Sequence, residues 1–222
     1  MDTHFASPER SDRDQLFQEL ALIGKNPLVD GLMRLVPGFF VVLNRHRQIL
    51  VINDAMLAML EAGSAHEVLG LRPGEAVHCI HSNEMRAGCG TSEFCATCGA
   101  AIAIVAALSE DAPAERECAI TFHRAGRQEY LYLSVRCVPF ALKKERFLLV
   151  FLQDITACRK MAFLTRSFLH DISNTVAGLT GLTQLYENSD RPLDPARNRD
   201  LFGRISNLSL RLAREIEVHR YL

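Results

Sequence analysis

Apolar residues recur in two rhythms along this chain, and the change of rhythm divides it. Residues 1–13 are polar and charged and read as a loose tail. From Asp14, the run DQLFQELALIG sets Leu16, Leu20 and Ile23 at helical spacing, a short amphipathic helix. Pro27 and Pro37 then punctuate the chain. Phe39–Leu43 is predicted as a strand, Asn44–Arg47 as a turn and Gln48–Ile52 as a second strand. Asn53 and Asp54 can cap a helix from Ala55 to near Gly63, because their side chains accept from the free amides of a first turn. Gly99–Leu108 reads as helix. In the next two segments Cys118, Ile120 and Phe122, and then Leu131, Leu133, Val135 and Cys137, alternate with Ala119, Thr121, His123, Tyr130, Tyr132, Ser134 and Arg136. A period of two buries one face of an antiparallel sheet. Phe147–Leu152 is continuously apolar, as a central strand is, and Gly126 and Pro139 fall near the expected breaks.

After Thr156 the rhythm becomes helical. Met161, Leu164, Phe168, Ile172, Val176, Leu179 and Leu182 form one stripe, and Leu201, Ile205, Leu208, Leu212 and Ile216 a second. The loop Asn188–Pro195 (NSDRPLDP) separates them. A two-helix hairpin leaves much of each stripe exposed, and dimerisation into a four-helix bundle would cover it. The predicted class is α+β. Residues 1–29 form a tail and helix, 30–156 a sheet domain with flanking helices, and 157–222 a dimerising hairpin.

Composition narrows the function. With 48% hydrophobic and 23% charged residues and a net charge of −1, the chain is globular and carries no nucleic-acid or membrane-binding charge. The longest apolar stretch, Ala100–Leu108, is too short to span a bilayer, and Met1–His4 does not open a signal peptide. A cytoplasmic location is expected.

Two strands, short helices and three more strands resemble the PAS fold over residues 30–156. The close Phe151-Leu152-Gln153-Asp154-Ile155-Thr156 is similar to the Asp-Ile-Thr ending of PAS domains that feed a helix. On the first long helix, Phe168-Leu169-His170-Asp171-Ile172-Ser173-Asn174 sets His170 about 200° from Phe168 and Ile172, facing away from the stripe. A nucleophilic histidine needs one bare ring nitrogen and the other held by a hydrogen bond. Asp171 can supply that bond, and Asn174 lies one turn on. The segment resembles the H-box of sensor histidine kinases, with Thr175 where the commonest subtype has proline. The resemblance implies a cytoplasmic two-component sensor with His170 as phosphoacceptor and Asp171 as general base. It also implies Asn174 assisting regulator dephosphorylation. The partners it implies are a homodimer copy, a response-regulator receiver domain and an ATP-binding kinase domain. The Asn-bearing helix and Gly-rich lid motifs of that ATP-binding domain do not occur in these residues. ATP is therefore expected to act only through such a domain, in cis or in trans, and this chain alone is not expected to transfer phosphate from ATP. The plain alternative for His170 is a solvated histidine on an ordinary helix.

Four of seven cysteines, Cys79, Cys89, Cys95 and Cys98, fall in a C-x9-C-x5-C-x2-C pattern with glycines beside them. Thiolates bind zinc and iron–sulfur clusters, and in the cytoplasm clustered cysteines favour metal or redox chemistry over structural disulfides. The C-x5-C-x2-C part is similar to the ligand loop of adrenodoxin-type ferredoxins, and Gly70–Ala76 resembles cysteine-bearing PAS domains of bacterial histidine kinases. An iron–sulfur cluster, Zn2+ and a reversible disulfide all remain open, as does simple packing of small residues. His78 and His81 flank Cys79 as substitute ligands or surface residues. Cys118, Cys137 and Cys158 read as packing residues. Three functions are compatible with these features. They are a PAS sensor controlling phosphotransfer at His170 in response to a redox, oxygen or ligand signal; a zinc-stapled dimerisation scaffold without phosphotransfer; and a redox carrier.

Overall fold

A computed structural model describes residues 3–124, 126–188 and 194–220; most of the loop 188–195 lies outside them. The chain divides into two compact units, one ending at Thr156 and the other beginning at Ala157.

The first unit is built on five antiparallel strands: β1 (Phe39–Asn44), β2 (Ile49–Ile52), β3 (Ala114–Arg124), β4 (Arg127–Leu142) and β5 (Glu145–Asp154). Their order is β2-β1-β5-β4-β3. Between β2 and β3 run α3 (Asp54–Leu60), α4 (Pro73–Ala76) and α5 (Gly99–Glu110); α1 (Arg13–Ile23) and α2 (Pro27–Leu35) precede β1. This order, with helices inserted after the second strand, agrees with the expected α+β class of an antiparallel sheet with flanking helices. Burial explains the sheet. Val41, Leu43, Val135, Cys137, Leu148 and Val150 pack on one face against Met56 of α3 and Ala103, Ile104 and Ala107 of α5. Phe40, Val42 and Phe147 pack on the other face against Ile23 of α1 and Val29 of α2. β1 is thus buried on both sides and carries no alternation, as a central strand requires.

Asn53 caps α3 by accepting from Met56 N at 3.1 Å, as its position after a strand predicts. It also accepts from Phe40 N (3.1 Å) and donates to Gly38 O (2.9 Å), tying the helix to β1.

Three expectations are corrected. Residues 3–12 are not a loose tail: His4 N donates to Thr91 O (3.0 Å) and Ala6 N to Gly90 O (2.9 Å), and Ala6 and Ser11 are buried. Residues 27–35, given no element in the sequence reading, form α2, which starts at Pro27 after a break and is capped by Asn26, since a helix's first position needs no N–H. Pro139 does not break β4, which runs through it to Leu142. The pairing with β3 stops at Cys137, opposite Ala114, so the missing amide falls on an open edge.

The second unit is two long helices, α6 (Thr156–Glu187) and α7 (Pro195–Arg220). Phe168 stacks on His219 with ring centroids 3.8 Å apart, Gly178 meets Leu208, and Tyr186 meets Phe202, so the helices run antiparallel. Thr175 is the one described residue of the unit that is buried. Met161, Leu164, Val176 and Ile216 of the predicted stripes stay exposed in the single chain.

The triple role of Asn53 gives a stability test. Asn53→Ala removes a cap and two strand contacts and is expected to cost about 2 kcal/mol, more than the ~1 kcal/mol of a cap alone, in denaturant unfolding. A loss at or below the cap value would show that the strand contacts contribute nothing.

Candidate functional site

The most constrained side chain of the first unit is Arg72, fully buried just ahead of α4. Its guanidinium donates to Glu9 O (2.7 Å), Ala87 O (2.9 Å), Cys89 O (3.1 Å), His46 O (3.2 Å) and Ser7 O (3.4 Å). Three segments distant in sequence are joined: the N-terminal arm, the β1–β2 turn and the cysteine loop. Glu75, one helical turn on, accepts from Arg72 N (2.9 Å) and Cys89 N (3.1 Å) and pairs with Arg10. Burial, then the charges of Arg47 and Arg10, lower the Arg72 pKa to about 10, still well above neutrality.

A second arginine enters from the β1–β2 turn. Arg47 takes a left-handed conformation (φ +68°), which directs it inward; its Nη2 donates to Ser7 O at 2.7 Å. Arg47 is 6% exposed, and its Nε–H has no acceptor among the described residues.

Beside these two arginines the cysteine loop folds over α5. Gly88 and Gly90 straddle Cys89 at φ of +83° and +90°, values that side-chain-bearing residues resist, and so turn the chain tightly around the sulfur. Cys98 stands at the N-cap position of α5 without a side-chain capping bond, and the glycine after it allows that terminus to approach β3 so closely that any Cβ would meet the Glu117 carbonyl.

Cys79, Cys89, Cys95 and Cys98 line one cavity of about 210 Å³, together with Arg47, Arg72, His81 and an apolar wall that includes Ile104 and Leu133. The Cys95 sulfur accepts from Gly90 N at 3.2 Å. Ser92 Oγ also lies 3.3 Å from the Cys95 sulfur. Burial raises the Cys79 thiol and pushes Cys89 up to about 12. Among the described residues, no three Cys, His, Asp or Glu side chains converge closely enough to hold a single metal ion.

The flanking residues sort themselves differently from the sequence reading. His81 lines the cavity, stacks on Phe94 and bonds Glu84 through Nδ1 (2.6 Å), whereas His78 is exposed. Cys118 on β3 is more than a packing residue: its sulfur lies 3.6 Å from that of Cys98, and its thiol lowers the Cys98 pKa by donating to the thiolate. Cys137 is buried and pushed up to about 12 by that burial; Cys158 is exposed on α6.

The second unit carries a different kind of site. His170 stands on α6 with its side chain 71% exposed. Asp171 Oδ1 lies 3.2 Å from Nδ1, and Asn174 Nδ2 lies 3.3 Å from both ring nitrogens. Thr175, where the H-box likeness departs from the commonest subtype, is buried and bonds Asp171 O at 3.0 Å.

No family model matches the chain, and no curated protein matches it in sequence. Among solved structures, the chain is similar to the PAS domain of an HTR-like protein from Haloarcula marismortui (19% identity, 58% of this chain and 96% of that one, TM-score 0.39). It is also similar to the PAS domain of nitrogen regulation protein NR(II) from Vibrio parahaemolyticus (17% identity, 58% and 98%, TM-score 0.40). A third likeness is to the PAS domain of BvgS from Bordetella pertussis (24% identity, 70% and 99%, TM-score 0.36). No described helix is long and apolar enough to cross a membrane.

The arginine frame makes a sharp prediction. Arg72→Met keeps the volume but strands five carbonyls, and is expected to lower stability by about 3 kcal/mol or more in thermal or urea unfolding. It should also raise proteolysis of the N-terminal arm, read by the release of residues before α1. Unchanged stability would mean that water serves those carbonyls equally well.

Proposed function

We propose that this chain is the sensory and phosphoacceptor portion of a two-component sensor histidine kinase, signalling from a cytoplasmic PAS unit to His170. One observation carries the reading: an exposed imidazole on a long helix, with an acid at one ring nitrogen and an amide one turn away. A histidine held only for packing would not present its ring to solvent with both partners in place.

The arrangement suits phosphoryl transfer. With Nδ1–H given to Asp171, Nε2 keeps its lone pair, and the carboxylate stabilises the cationic ring that develops. That lone pair attacks the terminal phosphorus of ATP held by an ATP-binding domain, in cis or in trans. The N–P bond forms as the P–O bond to ADP breaks, and ADP leaves with the electron pair. An aspartate carboxylate of a response-regulator receiver domain then attacks phosphorus, and the N–P electron pair returns to His170. Asn174 is placed to orient a water or a phosphoryl oxygen during dephosphorylation of that regulator. Exposure of Met161, Leu164, Val176 and Ile216 supports pairing of the second unit with its copy in a homodimeric four-helix bundle. The sensory unit connects to it through Asp154–Thr156: Thr156 N donates to Asp154 Oδ1 (2.8 Å), and Thr156 Oγ1 accepts from Tyr132 N of β4 (3.0 Å).

Incubation with radiolabelled ATP and a separate kinase ATP-binding domain is expected to place an acid-labile phosphate on the wild type and none on His170→Gln. Because the side chain faces solvent, that variant should keep its stability to within ~0.5 kcal/mol and keep its dimer by light scattering. Label persisting on His170→Gln would remove the assignment, and an intact dimer that is never labelled would favour a scaffold. Asn174→Ala is expected to accept phosphate normally but to slow dephosphorylation of the receiver about tenfold or more.

A further inference from the structure

We propose that the cavity bounded by Cys79, Cys89, Cys95 and Cys98 holds a four-iron iron–sulfur cluster, with Arg47 and Arg72 as its counter-charges. Four thiols from one loop line a common space of about 210 Å³, and a shared space lined by thiols is what a multi-iron core needs. The Cys95 sulfur already accepts a main-chain N–H, from Gly90 at 3.2 Å, the interaction that tunes thiolate-bound clusters.

The charge around the space points the same way. Four thiolates on an oxidised four-iron core carry a net double negative charge, and burying it demands compensation. Two arginines border the cavity. Arg72 is spent on carbonyls, but the buried Nε–H of Arg47 has no acceptor among the described residues. An arginine nine-tenths buried with an idle donor is costly unless an anion faces it. The nearby carboxylate, Glu75, is already engaged by Arg10 and by the amides of Arg72 and Cys89. On assembly the four thiols lose their protons to water, and four iron–thiolate bonds replace them. Cys118, 3.6 Å from Cys98, remains a spare thiol beside the site. Cluster binding does not depend on phosphotransfer at His170, since its readouts are metal content and colour.

The whole chain would be reconstituted anaerobically with equal amounts of ferrous and ferric iron and with sulfide, desalted and analysed. The expected result is about four iron and four sulfide ions per chain, with broad visible absorption that bleaches on reduction by dithionite. Cys89→Ser and Cys95→Ser should lose this while keeping the circular dichroism of the wild type; Cys158→Ser should retain it. Should the cysteine variants unfold, Arg47→Gln decides: loss of the cationic neighbour should lower the cluster's reduction potential, and an unchanged potential overturns the pairing. Colourless protein with one zinc per chain, iron binding indifferent to both cysteine variants, or a Cys98–Cys118 disulfide with no bound iron would each overturn the proposal.

Discussion

The first unit hangs on a single buried guanidinium. Arg72 brings a cation out of contact with solvent, and five main-chain carbonyls converge on it there. Each of those carbonyls belongs to a segment with little regular structure of its own. The N-terminal arm, the β1–β2 turn and the loop around Cys89 would otherwise owe their positions to weak local preferences. One planar donor group makes their positions mutually dependent, and the shape of the cysteine-lined space results from that dependence.

The two candidate sites solve opposite problems. His170 is exposed: a helix carries it into solvent, and Asp171 and Asn174 of the same helix lie against its ring. The cysteines are shaped by enclosure, with the Cys95 sulfur accepting from Gly90 of the same loop. One imidazole is left open to approach from solvent, whereas the thiols lie beneath a loop whose path is fixed by the Arg72 contacts.

Much of the sheet can be read from sequence because burial imposes a short period. Val135 and Cys137 alternate inward, and the unbroken run Phe39–Leu43 signals a strand covered on both faces. Asn53 as a cap is legible from its place between a strand and an apolar helix. Where reading fails, the deciding partner is remote. Arg47 and Arg72 look like ordinary surface charges until the carbonyls they meet are brought close, and Cys118 looks like filler until α5 places Cys98 against it. The Asn26-Pro27 pair does carry a signal, a cap before a first-turn proline, and it suggests a break only when the proline is taken alone. The polar arm looks unfolded by composition because its order comes from main-chain bonds, which composition does not report.

The docking of that arm has a consequence for the order in which the protein can be made. Arg10 reaches Ala87 across 77 positions of sequence, and the amides of His4 and Ala6 find their acceptors only at Thr91 and Gly90. On the ribosome the arm emerges first and must wait, unpaired, until the cysteine loop has followed it out. Until then the arm has nothing to dock on, and the junction around Arg72 closes only once both of its distant partners are present.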